Sequence, residues 1–321
     1  MIYTIGIIPP EKTAECGAKA VALDRLWNME VPICKGKVIG TEVYRRFVQA
    51  SGLQAAINLA LSEKPLEQMR WEEIWDLSQK IRLQFLKAPL PEAVQSVLIE
   101  ELATLIDSPL VVRSSSVFED TLGSSFAGLH DSLVNVNGRE AVLKAVKEVW
   151  SSLWSDRALM YFKELNLSVE ESAMAVVVQE FVPGESSGVC FTKAPHSSDQ
   201  LLIEAVPGLN EGLVSGTVTP DRITVDRRTS NILEWTRQQR SHETRPAGQG
   251  VQRVAVTAAE SRLTLSESEL QRIAELALRL EQAFEGPQDI EWTLREGSLY
   301  LLQTRPITVT QANDTPLWQL D

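Results

Sequence analysis

Arg113 carries the first chemical signal in this 321-residue sequence. It follows an apolar pair, Val111-Val112, that reads as the end of a buried strand. Three serines, Glu119 and Asp120 come next, then a loop opened by Gly123 and closed by Gly128. A guanidinium offers a forked, permanent charge, and small residues let backbone N–H groups approach phosphate oxygens. The arrangement suits a polyphosphate. An ordinary Ser/Gly surface turn after a strand has the same composition.

A second cluster lies near the other end of the chain, in PQDIEWTLREGSLYLLQTRPIT. Ile290, Trp292 and Leu294 alternate with Asp289, Glu291 and Thr293, the period-two signature of a half-buried strand. Arg295-Glu296-Gly297 suits a three-residue hairpin connection with glycine in the left-handed position. Leu294 then pairs with Ser298, Glu291 lies across from Leu301, and Gln303 falls diagonally beside Glu291, with Arg305 one step further. A two-residue turn would put Gln303 on the opposite face. A carboxylate, an amide oxygen and an arginine on one face are suited to a hard cation and the phosphates it bridges. A solvated sheet face with incidental polar residues is the plain alternative.

The elements that must position these residues read as a mixed α+β chain. A first helix is expected near 17–28, and helical patterns dominate from about 41 to 106. Trp71, Ile74, Trp75, Leu77 and Ile81 recur at helical spacing and are expected to face a core. A long helix is expected over 139–165, with Trp150 and Trp154 one turn apart. Met174 to Val182, Gly188 to Thr192 and Leu201 to Ala205 read as strands, and 236–257 as a polar loop with an exposed strand. Ser266 and Glu269 form a capping box stapled by Leu265 and Leu270, starting a helix that runs to about Phe284.

Composition sets limits. With 44% hydrophobic and 23% charged residues the chain is of the soluble globular class. A net charge of −12 argues against nucleic acid or an anionic membrane as main partner. A polyanionic ligand must therefore be held by a local cluster of cations. Cys16, Cys34 and Cys190 lack metal-ligand spacing and read as free thiols of a reducing compartment. The first residues carry no basic leader or long apolar run, so a cytoplasmic location is expected.

Several ordered segments make the chain recognisable: CGAKAVAL, VPICKGKVIGTEVYRRF, the Arg113 stretch, SLWSDRALMYF, AVVVQEFVPGESSGVCFT, IEAVPGLNEGLVSGTVTPD and the terminal hairpin. Together they resemble the nucleotide-binding domain shared by phosphoenolpyruvate synthase, pyruvate phosphate dikinase and rifamycin phosphotransferase. The resemblance implies an ATP-grasp-type fold of two lobes, 1–180 and 181–321, with the nucleotide between them. It implies that Lys19, Arg113 and Arg305 contact ATP phosphates. Gly123, Ser125 and Gly128 would belong to a loop that closes over them. Glu291 and Gln303 would hold Mg2+. The backbone of Gln179, Glu180, Phe181 and Val182 would read adenine, and Glu185 would accept a ribose hydroxyl. Apart from the resemblance, Glu204 at the end of LLIEA sits where strand ends present side chains to a cleft, or else caps a strand at the surface. Cys16 and Ala18 depart from the family pattern, which carries more glycine there.

The family's enzymes pass a phosphoryl group from ATP to a histidine on a separate swivelling domain. None of His130, His196 and His242 has the threonine- and glycine-rich context of that histidine. The expected function is therefore the ATP-binding component of a dikinase-like phosphotransferase, handing the β-phosphoryl to a separate carrier domain or subunit and leaving AMP and phosphate. The alternative is a regulatory module that senses ATP without transfer. A stand-alone kinase would need an acceptor pocket that the sequence does not display.

Overall fold

The computed structural model describes residues 1–116, 131–165, 167–169, 172–195 and 197–307. The loop containing Gly123, Ser125 and Gly128 lies outside the described residues, as do His130 and His196.

The apolar run Met174–Glu180 (β5) takes the centre of a five-stranded antiparallel sheet. Around it lie β1 (Ile2–Thr4), β2 (Gly36–Ile39), β3 (Leu110–Ser116) and β4 (Ser132–Val136), in the order β1-β2-β5-β3-β4. A strand buried on both faces needs no alternation, and β5 has two distinct coverings. Val176 and Val178 join the core built with α3 (Thr41–Ala50), α4 (Leu53–Glu63), α5 (Trp71–Lys87), α6 (Glu92–Leu102), α7 (Arg139–Ser152) and α8 (Asp156–Glu164). Val177, on the opposite face, joins Val38 and a second core.

That second core belongs to a six-stranded antiparallel sheet and three helices, α1 (Thr13–Cys16), α2 (Ala18–Asn28) and α10 (Glu267–Ala283). The sheet consists of β6 (Ser186–Phe191), β7 (Gln200–Pro207), β8 (Asp221–Asp226), β9 (Ile232–Thr236), β12 (Gln288–Arg295) and β13 (Ser298–Pro306). Its order is β13-β12-β6-β7-β8-β9. Ile290, Trp292 and Leu294 face the helices and are buried, which leaves Asp289, Glu291 and Thr293 on the other face. Residues 3–38 contribute to this core although their strands belong to the first sheet, and Leu301 N–H donates to Pro32 O at 2.8 Å.

Several expectations need correction. Ile74, Leu77 and Ile81 are buried, but Trp71 and Trp75 are 56% and 45% exposed. The buried stripe of α5 runs through Ile74, Ser78, Ile81 and Phe85, and at 100° per residue both tryptophans fall on its flank. The expected helix over 139–165 is two helices, broken where Ser155 Oγ accepts from Ala158 N–H at 3.2 Å. Trp150 lies in α7 and Trp154 in the break itself, both buried, Trp150 stacked on Phe47 and Trp154 donating to the Tyr44 hydroxyl at 3.0 Å. The capping box of Ser266 and Glu269 is present as read.

The polar 236–257 stretch holds a separate two-stranded hairpin, β10 (His242–Pro246) and β11 (Val251–Ala255). Its tip is gripped by the first half of the chain. Buried Asn135 donates through Nδ2 to Ala247 O at 2.7 Å and Gly250 O at 2.8 Å, while its own carbonyl accepts from Gly250 N–H at 3.0 Å. Asn135 adopts φ +56°, a left-handed conformation that asparagine tolerates and alanine does not. Asn135→Ala is expected to cost about 1–3 kcal/mol, the scale of leaving buried acceptors unpaired. Urea unfolding measures it, and a loss under about 0.5 kcal/mol would mean that the grip contributes nothing.

Candidate functional site

A cavity of 590 Å³ is lined by residues of both sheets. That volume is in the range of small-molecule sites. Lys19, Arg113, Gln179, Glu180, Phe181, Val182, Glu291, Gln303 and Arg305 all line it, so residues from five separate segments converge. Glu185 and Glu204 are not among the lining residues. Glu185 Oε2 accepts from Glu296 N–H at 3.3 Å in the β12–β13 turn, and Glu204 pairs with Arg222 at 2.8 Å. His242 is on β10, beside Ser241 Oγ and Arg253.

Arg113 sits in the middle of its strand, not at the end. Val111-Val112 opens β3, and the serines after Arg113 continue it into the interior, where Ser114, Ser115 and Ser116 are all buried. Ser115 Oγ accepts from Ala20 N–H at 3.1 Å and so caps the first turn of α2. Gly17, at φ +77°, precedes that turn, and a Cβ there would stand 2.2 Å from Ser115 O. Only glycine permits this approach. It ties Lys19, in the same turn, to the strand that carries Arg113.

The hairpin reaches the expected face by a different route. Its turn has two residues, Glu296 and Gly297, at φ +50° and +74°, with Arg295 paired to Ser298. Positive φ at both positions is the form that matches strand twist. Such a turn alone would oppose Glu291 to Leu302. The register shifts beside Trp292, however, so that Trp292 pairs with Leu301 and Glu291 with Gln303. The extra residue of this bulge is Leu302, and its freed carbonyl accepts from Arg113 Nη1 at 2.8 Å. Bulge and arginine thus fix each other, and Glu291, Gln303, Asp289 and Arg305 share one face.

Glu291 is the hub. Its Oε2 accepts from Arg113 Nη2 at 3.3 Å and from Asn210 Nδ2 at 3.2 Å. Arg305 forks onto Asp289 Oδ2, with Nε at 2.6 Å. Burial lifts the Asp289 carboxyl above the usual range, Arg305 opposes this, and the Glu291 and Glu204 charges add to the rise. Burial also pushes the Cys34 thiol in the cavity wall up to about 11, which leaves it protonated and unreactive near neutrality.

Asn210, Glu211 and Asp289 escaped the sequence reading. Asn210 and Glu211 follow β7 and line the cavity, Glu211 in the first turn of the short helix α9 (Glu211–Val214). Strand ends present side chains to a cleft. Applied to the true end of β7 at Pro207, that rule points past Glu204 to this turn.

Burial raises the Glu211 carboxyl, the Glu291 charge raises it further, and Arg113 pulls it back. A folded-state pKa above the unfolded value gives stability that is full below the unfolded pKa and lost as pH rises through the folded one. Glu211→Gln is therefore expected to raise the thermal midpoint at pH 7.5 and to have no effect near pH 4. An equal shift at both pH values would show that Glu211 is not strained by its charge.

The pyruvate phosphate dikinase AMP/ATP-binding domain family matches this chain over residues 13–317. The phosphoenolpyruvate synthase of Aeropyrum pernix is 35% identical over 332 residues, covering 91% of this chain and 40% of that protein. The rifampicin phosphotransferase of Streptomyces sviceus is 33% identical over 297 residues, covering 91% and 34%. A prodigiosin-synthesizing transferase of Serratia marcescens is 30% identical over 324 residues, covering 97% and 34%. The chain belongs to this family, as an AMP/ATP-binding domain of the kind found in phosphoenolpyruvate synthases and related phosphotransferases. It spans less than half the length of these relatives. Among the described residues, no helix is long and apolar enough to cross a membrane.

Proposed function

We propose that this chain is the ATP-binding component of a dikinase-like phosphotransferase, of ATP-grasp type, with lobes 1–180 and 181–321 holding MgATP in the 590 Å³ cavity. The observation that carries the reading is the pairing of Glu291 with Gln303 at the bulge that Arg113 holds open. Hard oxygen donors and a forked cation then meet at one point.

These residues fit magnesium. Glu291 Oε1 and the Gln303 amide oxygen accept from no described residue, and both are hard donors of the kind that cation selects. Bound there with the phosphates, the ion would neutralise their charge. Lys19 supplies a point charge, and Arg113 and Arg305 supply forks. Adenine would lie against Phe181 and Val182, where the Val182 N–H has no partner among the described residues. Phosphoryl transfer needs alignment and charge neutralisation more than covalent chemistry by the protein.

In the reaction proposed, the α–β anhydride of ATP breaks with AMP as leaving group. An imidazole nitrogen on a separate carrier domain or subunit takes the β-phosphorus, and the γ-phosphoryl ends on water as phosphate. Following phosphorus species by NMR tests this, with MgATP and the chain, with and without a carrier domain from a related enzyme. AMP and phosphate that form only with the carrier support the proposal. ADP from the chain alone would indicate an ordinary kinase or ATPase. Binding without turnover across several carriers would indicate a nucleotide-sensing module.

A further inference from the structure

Asn210 stands at the N-cap of α9 yet does not cap it. Asparagine is among the favoured capping residues, but capping requires an extended backbone, and Asn210 is helical at φ −63°, ψ −22°. Its side chain turns instead across the cavity wall to Glu291, where Nδ2 donates to Oε2 at 3.2 Å. The residue is 7% exposed, and its Oδ1 is buried with no hydrogen-bond partner among the described residues. Turning the amide over would set Oδ1 against a carboxylate oxygen, so the donor must face Glu291. The donor, and not the cap or the acceptor, is thus the polar group that the Asn210 side chain puts to use.

We propose that Asn210 is the positioning residue of the metal-binding carboxylate. This role rests on the MgATP reading above. Among the described residues, Glu291 Oε2 has two donors, Arg113 Nη2 and Asn210 Nδ2. They differ in kind. Arg113 also faces the cavity, so incoming phosphate oxygens compete with Glu291 for its fork. Asn210 lines the cavity too, but its neutral amide is drawn to anionic oxygens less strongly than the guanidinium is. With nucleotide in place, the amide keeps hold of Oε2 and leaves Oε1 to the cation. Asn210 thereby acts on the metal-loaded nucleotide and not on the nucleotide alone.

The test is ATP affinity measured by calorimetry in Mg2+ and in EDTA, for the wild type, Asn210→Ala, Glu291→Gln and the double variant, each first checked by thermal unfolding. Asn210→Ala is expected to weaken binding in Mg2+ about tenfold, to change binding in EDTA less than twofold, and to add nothing in the Glu291→Gln background. Asn210→Gln, which restores an amide donor on a longer arm, should recover part of the loss. Equal weakening in both media, no weakening at all, or full additivity with Glu291→Gln would each overturn the proposal. If the wild type binds ATP equally well in both media and Glu291→Gln changes nothing, the metal reading itself fails.

Discussion

Arg240→Met is expected to lower the unfolding free energy by about 3–5 kcal/mol, the scale for breaking one side of a buried ion pair. Arg240 and Asp221 are each 2% exposed at the side chain and meet at 2.5 Å. The rest of the guanidinium is spent on carbonyls, with Nε donating to Thr219 O at 2.6 Å and Nη1 to Ser261 O at 3.1 Å. Asp221 in turn accepts from Trp235 Nε1 at 3.0 Å and Gln238 N–H at 2.8 Å. Removing the arginine leaves a buried carboxylate with neutral donors alone and strands the carbonyls. In a shielded network each such loss is felt more strongly than at the surface. The consequence reaches toward the site, because Arg240 Nη2 also donates to Ala205 O at 3.4 Å in β7, the strand that leads into the turn carrying Asn210 and Glu211. Urea unfolding near pH 7 measures the effect, and a loss below about 1 kcal/mol would show the pair to be dispensable. Asp221→Leu combined with Arg240→Met should recover part of the loss, since buried pairs replaced whole by apolar groups often cost little.

Local signals made much of this architecture legible. The capping box at Ser266 and the alternation of Ile290, Trp292 and Leu294 each depend on near neighbours, and each is found where expected. The hairpin is more instructive. Gln303 does share a face with Glu291, yet the three-residue turn invoked to put it there does not exist. A two-residue turn and a bulge at Leu302 restore the same face, and the bulge is held by Arg113, nearly two hundred residues earlier in the chain. No local pattern encodes that. Trp71 and Trp75 mislead for a related reason. Periodicity identifies the buried stripe of α5 but not how wide it is, and its width depends on which helices pack against it. Asn210 was hidden because its partner is Glu291, on a strand paired through β6. Arg240 sits in a stretch whose polarity reads as a loop, although 93% of the residue is covered.

Arg113→Met is expected to weaken binding of MgATP or a non-hydrolysable analogue by about 3 kcal/mol, roughly a hundredfold or more. Two charge-assisted contacts would be lost, the one proposed to the ligand phosphates and the one to Glu291, where Nη2 stands 3.3 Å from Oε2. A third contact distinguishes this arginine from a simple counter-charge. Nη1 donates to Leu302 O at 2.8 Å, so the same guanidinium that lines the cavity also holds the bulge that sets Glu291 opposite Gln303. Methionine keeps the apolar stem and loses both functions. Arg113→Lys separates them: an ammonium restores a positive charge but not the fork that reaches the bulge and the carboxylate together. The lysine variant should therefore recover binding of metal-free ATP in EDTA better than binding of MgATP. If lysine restores both equally, Arg113 is a point charge and the bulge is held by the sheet alone. If methionine changes affinity less than threefold in a folded protein, Arg113 does not face the nucleotide and the cavity has been given the wrong ligand.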